Sequence, residues 1–276
     1  MPASSEHGDV TVVIPCFNYG RFLPEAIASV RGQEGGPPRV IVVDDGSDES
    51  ETLEALDALP EGVELLRQRN AGLAAARNAG VGASDTPLVL ALDADDMLPA
   101  RALRALKAGL RSDPGAGFAY GIMHFFGDWS GDVALPGWDP YRLLFRHTIG
   151  PTALTRRELF DDVGGWDPQM RGYEDWEFWL HALARGWRGV KVPEITFLYR
   201  RHGATMLSQA RREYRRWYRA VRARHPELYR RRREFARQSD LGPLGRALYR
   251  FYWGPRPVPA TVEHRLYALL WGRGSR

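Results

Sequence analysis

The chain of 276 residues is long enough for one α/β domain with an appendage, and 44% apolar content supports a packed core. No run nears the roughly 18 apolar residues of a membrane span, residues 1–9 lack the apolar centre of a signal peptide, and the single Cys16 excludes an intrachain disulfide framework and a cysteine-rich zinc site. The net charge of +4 is uneven: residues 205–276 hold 18 Arg, no Lys and 5 acidic residues, about +13, and residues 1–204 hold 20 basic and 29 acidic residues, about −9.

Residues 10–15 are β-branched and apolar and end at Pro15, which predicts a buried strand. Phe22, Ala26, Ile27 and Val30 recur at helical spacing over 22–33. A second strand, 39–43, stops at the loop signal Asp44-Asp45-Gly46-Ser47. Residues 50–59 read as a helix with Leu53, Leu56 and Leu59 inward, 64–67 as a third strand, and the small-residue run 72–82 as a helix. Residues 87–92 predict a fourth strand ending at Asp93, and 100–112 a helix with Leu103, Leu106 and Leu110 on the core side. Alternating buried strands and amphipathic helices indicate a mostly parallel sheet. Further along, 118–126 predicts a strand, 127–140 shows no period, 156–163 and 174–185 predict helices, and 190–199 one or two short strands.

Ligands in such sheets bind beyond the carboxyl ends of the strands. Three polar clusters sit there: Cys16-Phe17-Asn18, Asp44-Asp45, and Asp93-Ala94-Asp95-Asp96. The third concentrates like charge that a cation would relieve, and oxygen ligands suit Mg²⁺ or Mn²⁺; a solvated acidic turn before Pro99 is the plainer alternative. One acid of Asp44-Asp45 is expected to serve structure and the other a nucleobase N–H, with Ser47 or Asp48 capping the next helix. Gly72 to Asn78 would let a ligand approach the backbone, and Arg77 could meet a phosphate, although Ala-rich helices with one Arg are common. Glu174 and Asp175 mark a helix start that stabilises carboxylate charge; Trp176 and Trp179 either pack or offer a sugar an apolar face. His202 is a metal ligand, a donor to a diphosphate, or structural.

Val13 to Asn18, Val43-Asp44-Asp45-Gly46-Ser47, Gly72 to Asn78, Asp93-Ala94-Asp95, Gly164-Gly165-Trp166-Asp167, Glu174-Asp175-Trp176 and Tyr199-Arg200-Arg201-His202 together resemble glycosyltransferase family 2, over roughly residues 10–205. The resemblance implies a GT-A fold, Rossmann-like, over 1–204; residues 205–276 extend beyond it and read as a helical extension. It implies an inverting transfer from a nucleotide-diphospho-sugar, UDP first, to an acceptor hydroxyl on a sugar or glycolipid. Pro15 and Phe17 would line the base pocket, Asp45 would bind the base, and Arg77 would hold the nucleotide. Asn18, Gly72 and Ala94 belong to the same binding set. Asp93 would lie near ribose and diphosphate, Asp95 with Asp93 and His202 would form the metal site for Mn²⁺ or Mg²⁺, and Asp175 would be the base with Glu174 near the acceptor. A binding or scaffold protein without turnover is the rival. No glycine-rich phosphate loop follows the first strand, which disfavours a nucleotidyltransferase, and no G-x-G-x-x-G disfavours a dehydrogenase.

In the tail, Tyr214, Trp217, Tyr218 and Val221 share a helical face, and Leu244, Ala247, Leu248, Phe251 and Tyr252 repeat the pattern among arginines. Leu266, Leu269, Leu270 and Trp271 suggest a last short helix. The faces would pack within the protein or on a second copy, or rest on anionic lipid. The expected location is cytoplasmic, with peripheral contact at the inner membrane face; no motif supports nucleic-acid binding.

Overall fold

The computed structural model describes residues 5–133, 135–202 and 213–254. They belong to two compact units, one of residues 5–138 and 148–202, the other of 139–147 and 213–254. The expected boundary after 204 thus gains an exception, because 139–147 goes with the second unit. Among the described residues no helix is long and apolar enough to cross a membrane.

The first unit begins β1 (Val10–Cys16), α1 (Leu23–Arg31), β2 (Arg39–Asp44), α2 (Ser50–Asp57), β3 (Val63–Arg67), α3 (Leu73–Gly82), β4 (Leu88–Ala91) and α4 (Ala102–Ser112). Strands β3, β2, β1 and β4 lie side by side and parallel. Every residue of β1 is buried, because helices cover both faces of a parallel sheet. Helix α3 comes close enough to β1 that a Cβ on Gly80 would stand 2.2 Å from a Val13 methyl. Helix α4 buries Leu103, Leu106 and Leu110 on one stripe, as its spacing predicts, each contributing about 1.5–3 kcal/mol. Helix α2 departs from expectation: Thr52 and Leu56 are buried, while Leu53 is exposed. The Thr52 hydroxyl accepts the Gly20 N–H at 2.9 Å, so a polar side chain takes an inward place the apolar pattern gave to leucine.

The unit continues with β5 (Phe118–Gly127), β6 (Gly131–Val133), β7 (Leu154–Arg156), α6 (Arg157–Val163), α7 (Glu174–Ala184) and β8 (Gly189–Arg201); α5 (Pro140–Leu143) belongs to the second unit. β7 pairs antiparallel with both β4 and β5, so β5 and β8 run in the same direction as β1 and β4. Its three residues are too short for a period, and the sequence signal misses it. β8 is one strand along the whole of β5, with two register shifts, where one or two short strands were expected. The carboxyl ends of β1, β2, β4, β5 and β8 therefore share one edge of the sheet.

The second unit holds α5, α8 (Tyr214–Arg224), α9 (Pro226–Arg230), α10 (Arg232–Gln238) and α11 (Pro243–Trp253). Tyr214, Trp217, Tyr218 and Val221 are buried together as their spacing predicts. Tyr214 and Tyr229 donate to the Phe145 and Leu144 carbonyls at 2.7 and 2.8 Å, which is what draws 139–147 into this unit. On α11 the inward residues are Tyr249 and Trp253, not the expected stripe: Leu244 and Phe251 are 73% and 61% exposed. The expected helix near 266–271 lies outside the described residues.

Candidate functional site

At the end of β1, Pro15 is buried in register with Val43, and Phe17 is 43% exposed at the rim. Asn18 adopts a left-handed backbone with φ of 58°, which Asn tolerates better than most residues. Its side-chain oxygen accepts from the Asp48 and Glu49 N–H groups at 3.0 and 3.2 Å, and its amide donates to Asp48 at 2.7 Å. Asn18, rather than Ser47 or Asp48, thus satisfies the amides leading into α2. Its side chain is occupied by structure, where a nucleotide contact was expected.

Both acids at the end of β2 are engaged. Asp44 accepts from the Ser47 N–H at 2.9 Å and closes the turn. Asp45 accepts from Gln68, Ala71 N–H and Gly72 N–H at 2.7, 2.8 and 2.8 Å. It holds the loop in front of α3, where Gly72 takes a φ of 92° that favours glycine. Three of the roughly four acceptor positions of this carboxylate are filled, so a base would meet Asp45 through the one remaining. A cleft of about 250 Å³ opens beside this loop, lined by Asn70, Gly72, Pro168, Met170, Arg171 and Glu174.

The acidic loop after β4 is the electrostatic centre. Asp93 faces Arg77, whose Nη2 donates to it at 2.6 Å, and the Arg77 Nη1 donates to Glu174 at 2.8 Å. Arg77 is 1% exposed. It was expected against the nucleotide; it instead joins the acidic loop to the start of α7, and its burial leaves only an indirect role. Burial pulls its pKa down, and Asp93, Glu174 and Asp175 together outweigh that and leave it raised. Burial, then neighbouring Asp175, raises the Glu174 pKa against the opposing pull of Arg77. Ala94 is buried in the core and brings Asp93 and Asp95 to the same loop. Burial, with Asp93 beside it, raises the pKa of Asp95; burial, with Asp95 and Asp93, pushes Asp96 well above its ordinary value. Asp96 Oδ2 is buried with no hydrogen-bond partner among the described residues.

His202 follows β8 and its Nε2 lies 2.8 Å from Asp95 Oδ2. Its ring rests 4.6 Å from that of Phe22 and 5.8 Å from that of Tyr19. Arg200 secures the approach: its Nε donates to the Asp95 carbonyl at 2.8 Å and its backbone N–H to Asp96 Oδ1 at 2.8 Å. Its guanidinium lies over Phe22 and Phe126, 4.9 and 4.5 Å from the ring centroids. His202 and the Asp95 carboxylate opposite it are two groups that suit a divalent cation. Among the described residues no three acidic, His or Cys side chains gather into a complete ligand group. A cation here would take its remaining ligands from diphosphate and water, as Mg²⁺ commonly does.

Asp175 is the second residue of α7, buried, with its Oδ1 accepting the Trp176 N–H at 2.8 Å. Trp176 and Trp179 are both fully buried, which removes them as sugar platforms. Trp166 is tied to α3 instead: Asn78 exchanges two hydrogen bonds with its backbone at 2.7 and 2.9 Å. The sequence reading missed Arg200, Phe22 and Tyr19 around His202. Arg200 lies within Tyr199-Arg200-Arg201-His202, but nothing in one sequence distinguishes Arg200 from Arg201 by direction.

The family model described as glycosyl transferase family 2 matches residues 11–173. An uncharacterized glycosyltransferase of Mycobacterium tuberculosis is 32% identical over 211 residues, covering 72% of this chain and 89% of the relative. The succinoglycan biosynthesis protein ExoO of Rhizobium meliloti is 30% identical over 221 residues, covering 72% of this chain and 62% of ExoO. Among solved structures, S. aureus TarS residues 1–349 in complex with UDP-GlcNAc superposes with a TM-score of 0.64 at 17% identity, covering 87% of this chain and 70% of TarS. That likeness identifies the fold as GT-A.

Proposed function

Because the chain belongs to glycosyl transferase family 2, we propose that it transfers one sugar, with inversion, from a nucleotide-diphospho-sugar to an acceptor hydroxyl. UDP-sugar is the donor assigned first; the fold neighbour TarS is described with UDP-GlcNAc. ExoO, named for succinoglycan biosynthesis, supports cell-surface polysaccharide or glycolipid as the product class.

The observation that carries the reading is the pairing of His202 with Asp95 on a loop of three acids, 2.8 Å apart. Asp95 and His202, with Asp93 beside them, would hold Mn²⁺ or Mg²⁺, which would offset the charge growing on the departing diphosphate. Phe17, exposed at the rim, offers the base a ring face. Asp175 takes the proton of the acceptor hydroxyl as its oxygen bonds to the anomeric carbon. The bond from that carbon to the diphosphate oxygen breaks, and its electron pair leaves on the nucleotide. Glu174 and Arg77 act as positioning residues for Asp175 and Asp93. The exposed outer side of α11, set among arginines, would bring the enzyme to an anionic membrane where a lipid-linked acceptor resides.

Calorimetric titration with UDP, dTDP and GDP, each with and without Mn²⁺, tests the donor site on wild type and Asp95→Ala. Binding of one nucleotide that requires both Mn²⁺ and Asp95 is expected. Asp175→Asn should keep that binding and abolish transfer. A protein that binds a nucleotide-sugar but turns nothing over, wild type included, would instead be a binding protein.

A further inference from the structure

The cleft of about 250 Å³ beside the Asp45 loop reaches the start of α7, and the chain itself fixes both of its walls. Asp45 pins Ala71 and Gly72 on one side. On the other, Asp167 closes a turn: its carboxylate accepts the Gln169 N–H at 2.8 Å, and its carbonyl accepts the Met170 N–H at 3.0 Å. The cleft lies below the roughly 300–1,000 Å³ typical of sites for drug-sized ligands, so it suits one sugar ring and not a whole nucleotide. Leu73, Pro168 and Met170 offer apolar surface to ring C–H groups, while Asn70 and Glu174 offer polar atoms to hydroxyls.

Arg171 is the one basic side chain in this lining. It is exposed, and among the described residues it makes no hydrogen bond and pairs with no carboxylate. The Asn70 side chain, on the opposite wall, also makes no hydrogen bond among the described residues. The cleft's own acid, Glu174, is already bonded to Arg77 at 2.8 Å, which leaves the Arg171 charge unmatched. Arg77 reaches on to Asp93 at 2.6 Å, so the cleft adjoins the acidic loop with one guanidinium between them. In the reading above the diphosphate goes to that loop, and the group that meets Arg171 belongs to a sugar.

We propose that Arg171, with Asn70 across the cleft, selects a sugar that carries a carboxylate, a uronic acid, as the ring bound beside Glu174. A planar guanidinium takes a carboxylate through two parallel N–H bonds, which fixes the ring's orientation as well as its charge. The proposal rests on the glycosyl-transfer reading and names the substrate class within it. The acidic ring belongs to the donor or to the acceptor, because the cleft touches both the nucleotide loop and the helix start that carries Asp175.

Calorimetry with Mn²⁺ present tests both sources. The donor arm compares UDP, UDP-glucose and UDP-glucuronate; the acceptor arm compares methyl β-glucoside with methyl β-glucuronide in the presence of UDP. In one arm the acidic sugar is expected to bind about tenfold tighter than its neutral counterpart. Arg171→Ala, at an exposed position, should keep the wild-type melting curve, erase that preference and leave UDP affinity within about twofold. Arg171→Lys should restore part of the preference. Equal binding of acidic and neutral sugars in both arms, or a preference that survives Arg171→Ala, overturns the proposal and leaves the donor site standing. So does a loss of UDP affinity in Arg171→Ala as large as the loss of the acidic sugar, which would assign Arg171 to the diphosphate. A wild type that binds no UDP instead overturns the transfer reading, and the proposal with it.

Discussion

Arg77 and Glu174 are 97 residues apart in the chain and 2.8 Å apart in space. The guanidinium also reaches Asp93 at 2.6 Å, so one buried cation bridges two carboxylates. Removing one partner of a buried pair leaves the other uncompensated, at a cost of about 3–5 kcal/mol. Arg77→Ala should lower the thermal midpoint steeply, and Arg77→Lys, which keeps a charge but not two directed donors, less so. Equal melting curves for wild type and Arg77→Ala would show that the bridge contributes nothing to the fold.

Arg200 touches neither nucleotide nor acceptor in the proposed mechanism, yet it fixes the Asp95 carbonyl and aligns the strand that ends at His202. Residues that orient metal ligands typically change affinity by about 10–100-fold. Arg200→Ala should raise the Mn²⁺ concentration needed for half-maximal UDP binding by about tenfold, while circular dichroism stays native. An unchanged Mn²⁺ dependence would leave Arg200 as a packing residue only.

Cys16 ends β1, 1% exposed, and burial pushes its thiol pKa up to about 11 from 9.0. The unfolded chain therefore loses this proton first as pH rises. The thiol's contribution to stability is fully present below about pH 9 and is lost as pH climbs through about 11. Urea unfolding across that window should show a steeper decline for wild type than for Cys16→Ala. Parallel declines would mean that the thiol does not take part. Ellman's reagent should label Cys16 only on unfolding.

The outer side of α11 carries Leu244, Ala247 and Phe251 in line, opposite buried Tyr249 and Trp253. Residues 213–254 hold 12 Arg against 4 acidic residues. Wild type should sediment with vesicles containing phosphatidylglycerol and stay in solution with pure phosphatidylcholine. Leu244→Glu with Phe251→Glu should abolish sedimentation without changing UDP affinity. Vesicle binding that survives the double substitution would assign the contact to charge alone.

The parallel half of the sheet was legible because β1, β2 and β4 are continuous apolar runs, β2 and β4 leading into acids, and parallel strands bury both faces. The same logic located Asp45, Asp93 and Asp95 at one edge. What sequence could not convey was direction over distance. Asn18 looks like a ligand residue until the amides of Asp48 and Glu49 turn out to face it. Arg77 looks like a phosphate contact until α7 arrives above it. β7 has three residues and no readable period, and α11 repeats an apolar stripe that points outward because a second, aromatic face fills the interior.

The bond between Asp95 and His202 spans 107 positions, and the family match closes at residue 173, before Glu174, Asp175 and His202. During synthesis the ribosome releases Arg77 and the acidic loop long before the groups that neutralise or complete them. A nascent chain halted near residue 173 would hold an interior cation with only half its counter-charge. The amino-terminal half thus has no finished state of its own, and a swap of that half between relatives would have to carry Glu174, Arg200 and His202 along to be inherited as a working unit.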